Sequence, residues 1–503
     1  VGVGHVDLRQ FTGRDTMMEK LETWLVLEGA EASKRIAVVG QGGSGKSTLV
    51  KYFLQEKVCE IDPSVRLVFF LQPADLMRGY RHLLAELCTM LGHDMSDTDE
   101  LKEDKVRERV HTALRDKTLR HRWVGVLDDL PSPSGTNLQD QGMAWLFEED
   151  AGGFPWGFGK TIVTSRLLEW TSPMVFGPGL EVGNFEVQEA HAFLENKVPL
   201  WQGDERGVQE VALRLGYFPL ALVSAAGCAH RYTLTPQEYM EELDKSSSEV
   251  LLKWEARRKN VDEYPYELFQ VVHITWQRLS EGEDAIEAMS LLRKLAFVNP
   301  DNIPLSLFED FRLLLPVLKD HFLVTVTTPP GSTDPLVAIH ALTQQVIREH
   351  LMGNDRLQVV RAVVVALAAQ MATFNVHKPE TYKMCTCRSY TMHVKTVVSA
   401  HVKATVDRLE GPRESKEDDS DVVESLAQLA YDAGVFMEVV TSVFVDAQRM
   451  FQGALALRLV LQRNRGGGED SEGVADCYSE LGSICGSMGE YQEALRQHEQ
   501  ALQ

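Results

Sequence analysis

The sequence predicts an α/β fold, a parallel sheet with helices on both faces, followed by a half that is almost wholly helical. Three observations carry this. The apolar run Ile36-Ala37-Val38-Val39 leads into the glycine-rich loop Gly40-Gln41-Gly42-Gly43-Ser44-Gly45-Lys46-Ser47 and then a helix pattern over 48–54. Apolar runs at 66–71, 123–130 and 160–166 join amphipathic helix patterns at 80–91 and 104–119, an alternation that makes a parallel sheet. Beyond residue 350, strand patterns stop and helical ones take over.

The loop is the most informative stretch. Glycines let backbone N–H groups turn inward around an anion without Cβ interference. The following helix N-terminus adds partial positive charge. Lys46 can reach the β- and γ-phosphates, and the Ser47 hydroxyl can ligate Mg²⁺. Strand, loop and helix in this order predict a nucleoside di- or triphosphate site spanning Gly40, Gln41, Gly42, Gly43, Ser44, Gly45, Lys46, Ser47 and Thr48.

Trp123-Val124-Gly125-Val126-Leu127-Asp128-Asp129-Leu130 reads as a core strand whose acidic end meets the ligand cleft. Adjacent strand residues face opposite ways, so the two acids should do different jobs. One orients Mg²⁺, for which Asp128 pairs with Ser47 as the metal candidate. The other positions or deprotonates water. Lys160-Thr161-Ile162-Val163-Thr164-Ser165-Arg166 ends in an arginine able to read a γ-phosphate. Lys46, Asp128, Asp129 and Arg166 are the catalytic candidates.

The bulk numbers bound what else the chain can be. Its 503 residues suggest about three or four domains. A formal net charge of −22 argues against broad electrostatic adhesion to nucleic acid or anionic lipid. No apolar run approaches the ~18 residues of a membrane span. Seven scattered cysteines point to a reducing, cytoplasmic setting, and the lone Cys385/Cys387 pair is weak as a metal motif. A start at Val1 and an end inside a helical pattern suggest the middle of a longer protein.

Further residues narrow the field. Phe11-Thr12-Gly13-Arg14 precedes a helix pattern at 17–27. Gly216-Tyr217-Phe218-Pro219-Leu220-Ala221 lies in an all-helical stretch, and Leu336-Val337-Ala338-Ile339-His340 lies further on. Phosphate loop, Leu-Asp-Asp, Thr-Ser-Arg, Gly-x-x-Pro-Leu-Ala and the late histidine stand in the order of the NB-ARC family of STAND ATPases. That family includes apoptosome-forming and plant resistance proteins. The chain resembles it over about residues 10–350.

The resemblance implies that Phe11, Gly13 and Arg14 border the adenine, that Pro219 stacks under it, and that Arg166 senses the γ-phosphate. It implies that His340, in a winged-helix domain, touches the ADP β-phosphate and locks a closed state. Strand patterns at 322–327 and 336–339 around Pro329-Pro330-Gly331-Ser332 suit a hairpin, with a helix after His340. The triplet Ile339-His340-Ala341 departs from the family's usual Met-His-Asp.

The final stretch resembles a tetratricopeptide repeat, with Tyr478, Leu481, Gly482, Cys485, Ala494 and Ala501 at the spacings of that roughly 34-residue unit. Gly482 and Ala494 allow two helices to approach closely, and Gly489-Glu490 makes the turn. A helix at 451–461 echoes it, with 463–473 as an enlarged loop. The charged break at 410–419 reads as a boundary.

The expected organisation is a lead-in at 1–30, the nucleotide-binding domain at 31–178 and a helical domain at 179–258. A winged helix at 259–352, a helical connector at 353–418 and repeats at 419–503 follow. The expected function is a slow ATPase acting as a switch: an ADP-bound monomer that senses a protein or peptide ligand through its repeats, exchanges ADP for ATP with Mg²⁺, and self-associates to activate an effector. The alternatives are a continuously cycling ATPase or transcription regulator, and a scaffold with a structural nucleotide. The helix after His340 carries one arginine and a glutamate, poor for phosphate contacts, which disfavours DNA reading. With the net charge and the lack of a long apolar run, neither nucleic acid nor membrane is expected as a partner.

Overall fold

The computed structural model describes residues 11–27, 33–72, 76–92, 103–133, 143, 146, 154–172, 176–245, 265–281, 285–308, 311–321, 323–327, 335–352, 356–372, 381–410, 420–441, 444–464 and 471–502. The expected Pro329–Ser332 turn and the charged break at 411–419 lie outside these residues.

The chain divides into two compact units. One comprises residues 1–286, 315–335 and 340–351; the other comprises 287–314, 336–339 and 352–503.

The first unit opens with α1 (Asp15–Val26), β1 (Arg35–Val39) and α2 (Lys46–Tyr52), which runs on through a π-helical turn at Phe53–Lys57. Next come β2 (Leu67–Leu71), α3 (Leu76–Leu91), α4 (Glu103–Leu114), β3 (Trp123–Leu130), β4 (Lys160–Ser165) and β5 (Gly179–Glu181). Helices α5 (Val187–Lys197), α6 (Glu205–Arg214), α7 (Pro219–Tyr232) and α8 (Tyr266–Ser280) follow. Further along the chain, β7 (Thr325–Thr327) and α11 (Ala341–Val346) also belong to the first unit, whereas nearly all of α9 (Ala285–Leu295), with β6 (Ile303–Pro304) and β8 (Leu336–Ala338), belongs to the second, and α10 (Phe311–Asp320) is divided between the two.

The five-stranded sheet has the order β2-β3-β4-β1-β5, with every pair parallel. Alternation along β1 explains why it is an interior strand. Ile36 and Val38 point into a core with Leu21, Trp24, Leu49 and Phe53; Ala37 and Val39 point into the opposite core with Phe69, Tyr80, Val110 and Trp123. A strand buried on both faces has to be apolar throughout, which is what made it legible. The β3–β4 register slips between Leu127 and Leu130, so Asp128 and Asp129 fall in an irregularity at the carboxyl edge of the sheet.

Helix α11 continues into a π-helical turn at Ile347–Leu351 and packs on α8, with the Phe269 and His350 rings 4.2 Å apart.

In the second unit, β6 and β8 pair antiparallel, Ile303 opposite Val337. Helices α12 (Arg356–Met371), α13 (Thr381–Glu410), α14 (Ser420–Phe436), α15 (Phe444–Asn464), α16 (Ser471–Ser487) and α17 (Tyr491–Ala501) complete it. The expected α16–α17 hairpin is present. Gly489 turns the chain at φ 83°, and Glu490 N–H donates to the Cys485 carbonyl at 2.8 Å. A Cβ on Gly482 would lie 2.6 Å from the His498 ring, so any larger residue there would have to displace that side chain. Helix α13 begins well before the expected 394–409, because no proline or glycine interrupts 381–393.

Candidate functional site

The loop between β1 and α2 is held by glycines with definite jobs. Gly40 sits at φ 152°, and a Cβ there would lie 2.2 Å from the Val182 carbonyl oxygen. Gly43 (φ 81°) and Gly45 (φ 93°) occupy left-handed conformations, the latter as N-cap of α2. Lys46 is buried and donates to the carbonyls of Gly40 at 2.8 Å and Gln41 at 3.0 Å. Burial lowers its pKa. The Asp129 charge opposes that shift, Arg166 adds to it, and Asp128 opposes it.

The two acids part company, as expected, although an irregular stretch of backbone rather than plain strand alternation separates them. Asp128 is buried. One carboxylate oxygen accepts both the Ser47 hydroxyl at 2.7 Å and the Thr164 hydroxyl at 2.6 Å. Burial pushes its pKa up, against the Lys51 charge and those two hydroxyls, while Asp129 adds to the rise. A single carboxylate beside a hydroxyl suits Mg²⁺, which keeps most of its waters and takes its remaining ligands from phosphate. Asp129 is exposed and lies at φ 54°; its N–H donates to Thr164 Oγ1 at 2.8 Å, and its carboxylate faces Arg166 Nε at 3.5 Å. Thr164 thus joins both acids, a role the sequence reading did not assign. Among the described residues, no group of three or more His, Cys, Asp or Glu side chains is suited to a metal ion.

His340 reaches the same place from far along the chain. It caps α11, its Nδ1 accepting the Leu342 N–H at 3.2 Å, which leaves Nε2 to carry the proton of the neutral ring. His340 is exposed to solvent, although protein atoms crowd around its ring. Desolvation, then the charges of Arg166 and Lys46, press its pKa down to about 4, against Asp129. A Cβ on Gly42 would lie 3.4 Å from Leu342 Cδ1 and 3.5 Å from Arg166 Cζ, so α11, the loop and Arg166 stand in contact range.

The expected adenine-side residues divide. Phe11 stacks on Tyr52, ring centroids 4.0 Å apart and planes 13° apart. Gly13, at φ 75°, lies against the Glu189 side chain. Arg14 is buried, and its guanidinium donates to the carbonyls of Ser44 at 3.1 Å, Gly183 at 2.7 Å and Asn184 at 3.1 Å. It also lies 4.6 Å from the Phe185 ring centre, and its backbone N–H bonds to Glu189. Burial lowers the Arg14 pKa, against the opposing charges of Glu189 and Glu186. Pro219 is buried as the first residue of α7, between Phe218 and Leu220, whose side chains close on Gly43. Thr48 follows Ser47 in the first turn of α2.

Residues 14–199 match the family model described as the NB-ARC domain. None of the curated proteins matches the chain. Among solved structures, the chain is similar to the Aeropyrum pernix ORC1 protein in complex with DNA (16% identity, 69% of this chain and 94% of that one, TM-score 0.30). It is also similar to Drosophila ORC bound to DNA (10% identity, 68% and 87%, TM-score 0.34). A third is the Aeropyrum pernix ORC2 protein in ADPNP-ADP complexes (14% identity, 72% and 96%, TM-score 0.30).

One expectation is corrected. Nucleic acid does not stand excluded as a partner: the exclusion rested on bulk charge and on the composition of the one helix after His340, and neither describes the rest of the surface.

No helix among the described residues is long and apolar enough to cross a membrane. With its glycine-built loop, strand-end acids and family match in agreement, this chain carries an NB-ARC domain over residues 14–199 and through it belongs to the nucleotide-binding P-loop ATPases.

Proposed function

We propose that the chain is a nucleotide-controlled signalling switch. ADP holds a closed monomer; a protein or peptide ligand at the helical repeats, read as tetratricopeptide-like, loosens it; ATP with Mg²⁺ then favours an open form that self-associates and activates an effector. The observation that carries this reading is the arrival of His340, from a segment we read as the winged helix, beside Arg166, Lys46 and the loop.

The assigned roles follow from the chemistry. Lys46 and the loop amides hold the phosphates, Ser47 and Asp128 the Mg²⁺, and Arg166 the terminal phosphate. His340 donates its Nε2–H to a phosphate of ADP, and Phe11, Gly13 and Pro219 flank the base. Hydrolysis is slow and serves to reset the switch.

Magnitudes limit what one contact can do. Moving a two-state balance from 1:99 to 99:1 takes about 5.5 kcal/mol of differential affinity. A hydrogen bond to a charged phosphate contributes about 1.5–3 kcal/mol. His340 is therefore a large share, and Arg166 and the α11 contacts with the loop have to supply the remainder.

The test is to identify the nucleotide released from the purified protein, and to measure its mass in solution before and after loading with ATP. ADP with a monomer, shifting to a larger species with ATP, is expected. No bound purine nucleotide, or one mass in both states, overturns the switch; the latter result favours a scaffold with a structural nucleotide.

A further inference from the structure

Asp129 differs from the acid beside it. Asp128 is buried and held by two hydroxyls, whereas Asp129 presents its carboxylate at the mouth of the site, 59% exposed, to a 47% exposed Arg166 at 3.5 Å. Its backbone is fixed in place. The left-handed φ of 54°, the N–H bond to Thr164 and the β3–β4 irregularity set the point from which the carboxylate projects. Lys46 and His340 also lie within reach of its charge. The three cationic or donor groups assigned to a nucleotide's phosphates thus share one protein carboxylate.

We propose that Asp129 is a specificity-determining residue, an internal stand-in for the terminal phosphate that holds Arg166 and biases the site toward a nucleoside diphosphate over a triphosphate. This rests on the nucleotide-switch reading and deepens it. With a diphosphate bound, the Asp129–Arg166 pair is undisturbed. A triphosphate has to draw Arg166 off the carboxylate and bring its own negative charge up beside it, a like-charge term aimed at one ligand only. Both side chains are about half exposed, so the bias is severalfold rather than many orders of magnitude. A residue that only activates water would leave the affinity ratio untouched.

The experiment is calorimetric titration of the purified chain, with Mg²⁺, by ADP and by the non-hydrolysable imidotriphosphate. Wild type, Asp129→Asn, Arg166→Ala and the double variant are compared. Asparagine tolerates the left-handed backbone, so D129N removes the charge and keeps the conformation. Expected is a rise of about fivefold in the triphosphate-to-diphosphate affinity ratio for D129N, and a smaller rise when Arg166 is already alanine, where only the like-charge term remains. An unchanged or lower ratio in D129N overturns the proposal, as does an equal shift with and without Arg166. If the wild-type chain binds neither nucleotide, the switch reading itself falls and takes this proposal with it; if it binds both and D129N leaves the ratio unmoved, only this proposal falls.

Discussion

The Ser47 hydroxyl donates to Asp128 across 2.7 Å, joining the end of the phosphate loop to the end of a strand 81 positions away. Thr164 donates to the same oxygen from the next strand at 2.6 Å. The acid is therefore pre-aimed at the hydroxyl that would share its cation. Asp128→Asn should keep this packing and lose the metal dependence. Chelating Mg²⁺ is expected to weaken triphosphate binding by about tenfold or more in wild type, some 1.4 kcal/mol, and hardly at all in D128N. Equal sensitivity of the two to chelation would refute the metal assignment.

Lys46 should be indispensable. Its ammonium is buried among the carbonyls of the glycine loop, where the proposed phosphates would meet its charge. Lys46→Ala is expected to purify without nucleotide, read by chromatography of the acid-released ligand. Ordinary ADP content in that variant would contradict the role.

His340→Ala should shift the resting balance toward the assembled form. The expected change is a larger high-mass fraction at equal ATP, seen by light scattering coupled to size exclusion. An unchanged mass distribution, with unchanged bound nucleotide, would count against the lock.

The depressed His340 pKa gives a pH dependence whose sign can be worked out. Unfolded, the ring titrates near 6.5; folded, it does so at about 4. Between those values the unfolded chain holds a proton that the folded chain lacks, so stability falls as pH drops through that window and is regained above it. Thermal melts from pH 7 to pH 4.5 should show wild type losing more than His340→Gln. Parallel melting curves would dispose of the assignment.

Gly43→Ala tests the loop's geometry. The left-handed backbone costs an alanine about 1–2 kcal/mol, and its Cβ would lie 2.7 Å from Phe218 Cζ and 3.1 Å from Leu220 Cβ. Phe218 is 2% exposed and has nowhere to retreat. A lower melting temperature together with weakened nucleotide binding is expected; a variant that melts and binds as wild type does would mean the loop is not so tightly enclosed.

What the sequence made legible was what local chemistry dictates. The loop, β1 and the acid pair are each written in a few consecutive residues. So is the α16–α17 hairpin, whose turn and small residues lie close in sequence. Strand β5 escaped notice because three residues, Gly179–Glu181, carry no period, and their pairing with β1 is a tertiary fact. Thr164 escaped because a hydroxyl on an apolar strand says nothing of the acid it will meet. Arg14 was assigned to the base from resemblance alone; that its guanidinium is spent on three carbonyls, one of them 170 positions away, could not be read from a motif.

The nearness of Gly43 to Phe218 and Leu220 bears on how a message could travel through the molecule. With less than a methyl group's clearance, the phosphate cradle and the start of α7 cannot slide past each other; they move as one piece or separate outright. A signal that tilts that helix therefore reaches the loop as a step rather than a gradual deformation. Whatever shifts α7, itself almost wholly buried, would be felt at the glycine loop.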